Sequence, residues 1–352
     1  MTTYSHSHPI TGTAFDCGKF RIFKCTGDED FRKVDVVVTI GGILPSNGGT
    51  VTLVCMDPPN ASGTGAANND SIGTGIFFGA STKTISFFSG VSMTQTVTAS
   101  VGTYAGDNYI IEATPSSGEP LKESKQLTVW RRLWVESDTM QNAAGQLAGY
   151  PQISGLPEEQ YARACIQLEW YSQPELSEII APFEGVVVQE HPITHSLIIS
   201  STLVSAVATQ RYIPQPTKDF WTVHLIGSFY WLDELNNIQG EYGWAPSPIP
   251  KIGFAGIPNT AFIFMTKMKD DIDSSPYFSG LSSQDKQKLT AKLRQYCVAH
   301  EIGHLMYLGH ASVPVVSIMR SISDLQDLTT TPDYLKFTVD EILALQKIEM
   351  PR

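Results

Sequence analysis

The sequence predicts a protein of two domains, an all-β sandwich followed by a domain that mixes helices and strands. The chain has 352 residues, whereas a single hydrophobic core rarely extends beyond about 250–300 residues. Residues 19–135 carry short runs of β-branched and aromatic residues between turn-forming segments, a spacing typical of sandwiches. After residue 140 helical periodicity begins, and it is strongest over residues 282–308.

The strands of the N-terminal part are predicted from segments that are rich in β-branched or aromatic residues and are bounded by Gly, Asn, Ser or Pro. They span residues 19–24, 34–40, 50–56, 84–88, 94–101 and 109–114. The sequence GDNYIIEA at residues 106–113 resembles the late strand of bacterial immunoglobulin-like modules. This resemblance implies an immunoglobulin-like β-sandwich, which we expect to occupy residues 1–128.

The C-terminal part, residues 129–352, is predicted to combine both kinds of element. A helix is expected at residues 156–170, where apolar residues recur every three or four positions. The longest helix begins at a capping-box-like Ser282-x-x-Asp285 and runs to residue 308. The predicted strands span residues 185–188, 197–204, 220–231, 253–257 and 261–266.

The charge balance excludes one class of partner. The chain has 24 Lys and Arg against 35 Asp and Glu, a net charge of -11, and the sequence has no local basic patch. A polyanionic phosphate backbone would be repelled by such a chain, so we expect no nucleic-acid partner. No stretch reaches the 18 or so consecutive apolar residues that a membrane span requires, so no membrane span is expected.

A low charged fraction, 17% of the residues, is typical of β-rich extracellular proteins, and we expect a secreted or extracellular protein. The N-terminus has neither the basic nor the apolar region of a signal peptide. A cytoplasmic protein, or one that leaves the cell by a non-classical route, therefore stays an alternative.

The predicted long helix carries the sequence His300-Glu301-Ile302-Gly303-His304, an HExxH motif. Residues four apart project from the same helix face, so both imidazoles can reach one Zn²⁺ at about 2.0–2.1 Å. Glu301 then lies beside the open position of the metal. Zinc lowers the pKa of a bound water, and a neighbouring carboxylate can accept its proton during attack on a carbonyl. The motif thus predicts a zinc hydrolase that acts on peptide bonds.

Two further residues extend this motif. His310 follows ten residues after the first histidine, and Met319 lies nine residues after His310. Three histidines with an open fourth position are typical of a catalytic zinc site rather than a structural one. The sequence therefore predicts one catalytic zinc ion with three histidine ligands.

The pattern HEIGHLMYLGH followed by Met319 resembles the metzincin zinc endopeptidases, and the short spacing from the third histidine to the methionine is most similar to the matrixin branch. The resemblance implies that His300, His304 and His310 bind zinc, that Glu301 is the general base, and that Met319 forms the apolar floor of the site. It implies an α+β metzincin-like protease domain that hydrolyses protein or peptide substrates. It also implies an edge strand for the substrate, with residues 253–256 as the candidate.

The sequence departs from the metzincin pattern at one position. The glycine of that pattern would fall at Tyr307, and a glycine stands instead at Gly309. A bulky residue tolerates a left-handed conformation poorly, so we expect the helix to continue and Gly309 to form the turn.

Three alternatives to this interpretation stay open. A gluzincin-type peptidase would recruit Glu341 as the third ligand. A secreted or surface binding protein could carry a vestigial zinc fold without catalysis. A Ca²⁺ ion could bind the carboxylates of Asp270, Asp271 and Asp273, although a solvated loop is favoured there.

Overall fold

The computed structural model describes separate segments in both halves of the chain. The described residues are 6–7, 14–15, 20–24, 33–41, 46–56, 76–78, 82–88, 93–101, 105–124, 127–171, 179–180, 186–190, 197–199, 222–233, 235–245, 259–312, 314–322, 325–327 and 335–347.

The described part of the chain contains both strands and helices. The strands are, in chain order, β1 (His6–Ser7), β2 (Ala14–Phe15), β3 (Phe20–Lys24), β4 (Lys33–Thr39), β5 (Gly49–Met56), β6 (Ile76–Phe77), β7 (Thr82–Phe87), β8 (Thr94–Val101), β9 (Gly106–Pro115), β10 (Lys122–Glu123), β11 (Leu127–Met140), β12 (Ile166–Tyr171), β13 (Ile179–Ile180), β14 (Val186–Glu190), β15 (Leu197–Ile199), β16 (Thr222–Ser228), β17 (Trp231–Leu232), β18 (Gly243–Trp244) and β19 (Thr260–Phe264). The α-helices are α1 (Leu156–Arg163), α2 (Met265–Ser274), α3 (Ser283–Leu305) and α4 (Val339–Lys347).

The chain divides into two compact units. The first consists of Met1–Arg132, Ala164–Gln167 and Ile342–Glu349, and the second contains the rest of the chain. Neither unit is a single continuous stretch of sequence. The domain boundary predicted between residues 128 and 129 stays a prediction.

In the first unit, β5 pairs antiparallel with β7 on one side and with β9 on the other. A separate sheet places β8 between β4 and β6. Alternate residues of β5, including Val51 and Leu53, are buried, because successive side chains of a strand point to opposite faces. They pack with Ile85, Phe87 and Tyr109 in the hydrophobic core of this unit.

The predicted fold class, an immunoglobulin-like sandwich followed by an α+β metzincin-like protease domain, is wrong. The described residues show mixed α/β content with no clear all-β sandwich. Strand β3 pairs in parallel with β11, whereas immunoglobulin-like sheets are antiparallel, and the first unit includes most of helix α4. Strand-like runs predict that strands exist, but tertiary contacts choose the partner of each strand.

The second unit is built on strands β11, β16 and β19, which pair in parallel. Strand β18 pairs antiparallel with β19 and has no second partner among the described strands. All five residues of β19 are buried, as is typical of a strand that is covered on both faces. Helix α3 packs against β19 and α1, and this packing places the helix of the HExxH motif beside the sheet.

Two predicted elements of this unit differ from the structure. The helix expected over residues 156–170 ends at Arg163. Two residues later Cys165 adopts a positive φ of 55°, and strand β12 begins at Ile166. The aspartates expected in a loop lie on helix α2. There Lys267 pairs with Asp271 and Lys269 with Asp273, four residues apart, and such pairs stabilise a helix that apolar periodicity alone does not reveal.

Within the part of the chain that the structure describes, every helix is too short or too polar to cross a lipid bilayer.

The buried Arg131 joins two sequence-distant parts of the first unit. Its guanidinium donates hydrogen bonds to the carbonyl oxygens of Leu345, at 3.1 Å, and Gln346, at 2.5 Å. These carbonyls belong to the last turn of α4 and have no partner within the helix, so a buried cation there satisfies them. Helix α4 is thus fixed by a residue more than 200 positions earlier in the chain.

We predict that Arg131→Ala lowers the free energy of unfolding by about 2–4 kcal/mol, because buried helix carbonyls then lose a charged donor. Arg163→Ala is the matched control, since Arg163 is exposed and also donates to a backbone carbonyl, that of Phe337. Its expected cost is below about 1 kcal/mol. Urea denaturation measures both values, and equal losses would contradict the role of Arg131.

Candidate metal centre

Helix α3 begins directly after the predicted capping residue, and its second half is buried. The hydroxyl of Ser282 accepts a hydrogen bond from the backbone N–H of Asp285 at 3.1 Å, which caps the first turn as predicted. The second half of the helix is buried around Val298, Ala299 and Ile302. His300 and Glu301 lie in this buried stretch, so burial governs their chemistry.

The structure brings the three predicted histidines together. His300, His304 and His310 each offer one ligand atom, and these atoms all lie within 4.8 Å of one another. The Nε2 atoms of His300 and His304 are 2.9 Å apart. The ring centroid of His310 lies 5.2 Å from that of His300 and 4.6 Å from that of His304. A single ion can therefore contact all three imidazoles.

Backbone carbonyls orient two of these imidazoles. The Nδ1 atom of His300 lies 2.6 Å from the carbonyl oxygen of Ile318, and the Nδ1 atom of His304 lies 2.8 Å from that of Leu308. A carbonyl only accepts, so in both rings Nδ1 carries the proton and Nε2 presents its lone pair.

The lone pairs on the Nε2 atoms of His300 and His304 are therefore both available to one cation. Two unprotonated Nε2 atoms at 2.9 Å repel each other unless a positive charge lies between them. Two nitrogens bound to one tetrahedral zinc lie about 3.3 Å apart, given Zn–N bonds of about 2.0–2.1 Å. A small outward movement of the rings would therefore accommodate zinc.

The environment keeps these histidines in the neutral form that metals bind. Burial, reinforced by the neighbouring histidines, lowers the pKa of His300 to about 3. Burial likewise lowers the pKa of His304 to about 4, and it lowers the pKa of His310. All three imidazoles are neutral at pH 7 and available as ligands.

The turn that follows α3 is formed by Tyr307, and the expectation that Gly309 forms it is wrong. Tyr307 adopts a left-handed φ of 63°. Its N–H donates to the carbonyl of His304 at 3.0 Å, and the N–H of Leu308 donates to that of Gly303 at 2.9 Å. These two bonds define a Schellman motif. The helix thus ends at Leu305. The chain then reverses, and His310 lies beside the other two histidines.

Met319 lies directly beneath the histidine-bearing turn. It is fully buried, and a Cβ atom added to Gly303 would overlap its sulfur. The absence of a side chain at Gly303 therefore allows Met319 to pack against the helix between the two histidines of the motif. Its position is that of the predicted apolar floor.

Glu341 helps to support that floor. One of its carboxylate oxygens accepts from the Ser317 hydroxyl at 2.8 Å, and that hydroxyl accepts from the Met319 N–H at 3.0 Å. The other oxygen accepts from the N–H of Thr338, whose hydroxyl accepts in turn from the Glu341 N–H. This is a capping box at the start of α4. Both oxygens of Glu341 are therefore engaged away from the histidines, and the geometry favours His310 as the third ligand.

Glu301 is held in an apolar setting beside the histidines. It is 4% exposed, and burial raises its pKa to about 8, a shift that the backbone N–H of Ala245 opposes. One carboxylate oxygen, Oε2, has no hydrogen-bond partner among the described residues. A cation on the three histidines would lower this pKa by favouring the carboxylate.

Gly243 of the edge strand allows Glu301 to reach its position. A Cβ atom at residue 243 would lie 2.5 Å from the Oε1 atom of Glu301 and 2.7 Å from its Cγ atom. The strand and the helix can approach this closely only because residue 243 has no side chain. No local pattern of the sequence reveals the role of this glycine, because the residue that it accommodates lies 58 positions later.

The candidate site opens into a cleft of about 840 Å³. Three aromatic residues of the β17–β18 region line it together with the histidines and Glu301, and the rings of Trp231 and Trp244 stack at a centroid distance of 6.2 Å. The wall residues are Trp231, Gly240, Glu241, Tyr242, Gly243, Trp244, Ala245, Tyr296, Cys297, Tyr307, Leu308, Gly309, Ser321 and Ile322. The edge strand expected at residues 253–256 lies outside the described residues, and β18 is the described strand that borders the cleft.

The aspartates considered for Ca²⁺ have protein partners. Asp270 accepts from the Tyr230 hydroxyl, Asp271 pairs with Lys267, and Asp273 pairs with Lys269. The suggestion of a calcium ion at these residues stays an untested prediction.

A second polar group lies in the interior of the second unit. Glu136 and Asp138 of β11 and His224 of β16 are fully buried, and their candidate ligand atoms lie within 4.8 Å of one another. The Nε2 atom of His224 lies 2.6 Å from a carboxylate oxygen of Asp138. Only the parallel register of the two strands, in which Glu136 faces His224, brings these residues together, so sequence analysis missed the group.

No protein-family model matches this chain, and no curated protein matches it at a significant level.

We predict that His310→Ala weakens zinc binding by more than about 100-fold, because even the loss of an outer partner of a ligand costs about 10–100-fold. Glu341→Ala should keep zinc affinity within about threefold, while the lost cap lowers the free energy of unfolding by about 1 kcal/mol. Competition with a chromogenic chelator measures both affinities. The reverse pattern would identify Glu341 as the third ligand.

Proposed function

We propose that this protein is a zinc-dependent endopeptidase that uses three histidine ligands. The observation that carries the proposal is the convergence of three neutral histidines, two of which have carbonyl-bound Nδ1 atoms, beside a buried carboxylate at the wall of an open cleft. Zinc is the metal that best suits a set of three imidazole ligands with an open fourth position.

Zinc held by His300, His304 and His310 would polarise a substrate carbonyl and lower the pKa of a bound water. The histidines contribute lone pairs without charge, so the full positive charge of the ion stays available to the substrate. The carbonyls of Ile318 and Leu308, which accept from the two Nδ1 atoms, keep the rings oriented and increase their basicity.

Glu301 is the proposed general base. Its side chain borders the cleft, and its buried Oε2 atom has no hydrogen-bond partner among the described residues. The carboxylate therefore keeps an unused acceptor, for which a water bound beside it would be the donor. The same carboxyl group can then deliver that proton to the leaving amine. Burial raises the pKa of this carboxyl group, and a zinc ion beside it would favour the ionised form that accepts a proton.

The proposed substrate is an extended peptide that adds to the edge of β18. This strand has one described partner, β19, so its other edge can offer backbone donors and acceptors to a peptide. The aromatic lining from Trp231, Tyr242 and Trp244 favours substrates with apolar side chains near the scissile bond.

The features of the site favour an enzyme over a non-catalytic binding protein. A carboxylate that is 4% exposed with a raised pKa costs folding free energy, and peptide binding alone does not require it. Secretion and the absence of a nucleic-acid partner belong to this proposal as expectations from composition and charge.

We predict that Glu301→Gln reduces casein hydrolysis by about 100- to 10,000-fold, the usual contribution of a general base, while zinc binding is retained. Glu159→Gln is the matched control, because it makes the same chemical change at an exposed helical position. Hydrolysis of labelled casein and zinc content per chain are measured for both variants. Full activity in zinc-loaded Glu301→Gln would disprove the mechanism.

We also predict that Gly243→Ala lowers casein hydrolysis by at least about tenfold with zinc content unchanged. The added methyl group would meet Oε1 of Glu301 at 2.5 Å and would displace the carboxylate by an amount that is costly for catalysis. Gly280→Ala is the control, since a Cβ atom there meets nothing within 4 Å. Unchanged hydrolysis in Gly243→Ala would show that Glu301 does not need its observed position.

A further inference from the structure

We infer that Tyr307 binds the substrate, as an aromatic wall for an apolar side chain of the peptide; this inference rests on the proposed function. The chain adopts a left-handed conformation at Tyr307, with φ at 63°. Glycine adopts this conformation without steric cost, whereas a residue with a Cβ atom does not. The backbone turn by itself therefore does not account for a tyrosine here.

The turn itself does not use the tyrosine side chain. Its two hydrogen bonds join backbone N–H groups of Tyr307 and Leu308 to backbone carbonyls of His304 and Gly303, and any residue other than proline could make them. The capping geometry that returns His310 to the site would therefore persist with glycine at position 307.

Packing within the protein covers only part of Tyr307. Tyr307 is 37% exposed, whereas aromatic residues of the core, such as Tyr161 and Phe337, are almost fully buried. A half-exposed ring gains only part of the free energy that burial of an aromatic side chain provides. The remaining surface is available to a ligand.

The exposed ring belongs to the wall of the cleft. Tyr307 lines the same cavity as His304, His310 and Glu301, and Trp231 and Trp244 contribute further aromatic surface to it. A strained residue at the border of a reactive site is a reason to look for a function. Contact with an apolar side chain of the peptide would bury the ring surface that the protein leaves exposed. Tyr307 thereby becomes a specificity-determining residue for substrates with large apolar side chains near the scissile bond.

The experiment compares Tyr307→Gly and Tyr307→Phe. Each substitution is made alone and together with Glu301→Gln. The zinc-loaded Glu301→Gln protein is expected to bind substrate without rapid cleavage, so fluorescence anisotropy with fluorescein-labelled casein measures Kd directly. Tyr277→Ala is the matched control, because Tyr277 is 63% exposed and lies outside the cleft. Thermal melting and zinc content are recorded for every variant.

For Tyr307→Gly we expect a Kd for casein that is about 5- to 20-fold higher, as loss of an aromatic contact typically produces. In the natural chain KM should rise by a similar factor, while kcat changes less than about threefold. Zinc content should be unchanged, and Tm should be unchanged or up to about 4 °C higher because the backbone strain is relieved. Tyr307→Phe, which keeps the ring, should bind casein within about threefold of its parent.

The inference would be overturned if Tyr307→Gly bound casein with the same Kd as its parent. A lower Tm together with that unchanged Kd would show that the ring serves packing instead. The outcome is separable from the proposed function. If the natural chain binds casein but does not cleave it, the function fails while the binding comparison still decides the role of Tyr307. If even the Glu301→Gln parent does not bind casein, both are contradicted.

Discussion

The chain reversal at Tyr307 is the constraint on which the candidate site depends. It ends helix α3 one residue after His304, and it returns the chain so that His310 lies within reach of the two helical histidines. The same turn directs the carbonyl of Leu308 to the Nδ1 atom of His304. One backbone conformation thus determines both the third candidate ligand and the tautomer of the second. The reversal uses a left-handed residue that is not glycine, although its two hydrogen bonds are made by the backbone alone.

The support beneath the histidines comes from parts of the chain that are far apart in sequence. Met319 packs against Gly303, its N–H binds Ser317, and Ser317 is held by Glu341 at the start of α4. The adjacent carbonyl of Ile318 orients His300. Helix α4 therefore contributes to the site although none of its residues belongs to the histidine cluster. This arrangement explains why Glu341, a plausible metal ligand by residue type, has a structural role here.

The position of Glu301 reflects a compromise between stability and reactivity. Burial in the interior raises its pKa and costs folding free energy, and Gly243 permits an approach so close that a methyl group would not fit. A polar group in such a position destabilises the folded state unless a ligand or an ion compensates for it. The three neutral histidines beside it indicate where that compensating charge would bind.

The sequence by itself determined the elements with strong local signals. The capping residue Ser282, the long helix and the helical spacing of His300, Glu301 and His304 follow from periodicity and side-chain chemistry, which act over a few residues. The strands of the N-terminal part were also recognisable, because β-branched runs between turns are local patterns. Only the tertiary structure decided which strands pair, that β3 runs parallel to β11, that Gly243 lies against Glu301, and that Tyr307 rather than Gly309 reverses the chain. The strand pairings and the contact of Gly243 join residues distant in sequence, and the left-handed conformation of Tyr307 runs against the local preference of a tyrosine, so no short stretch of sequence contains that information.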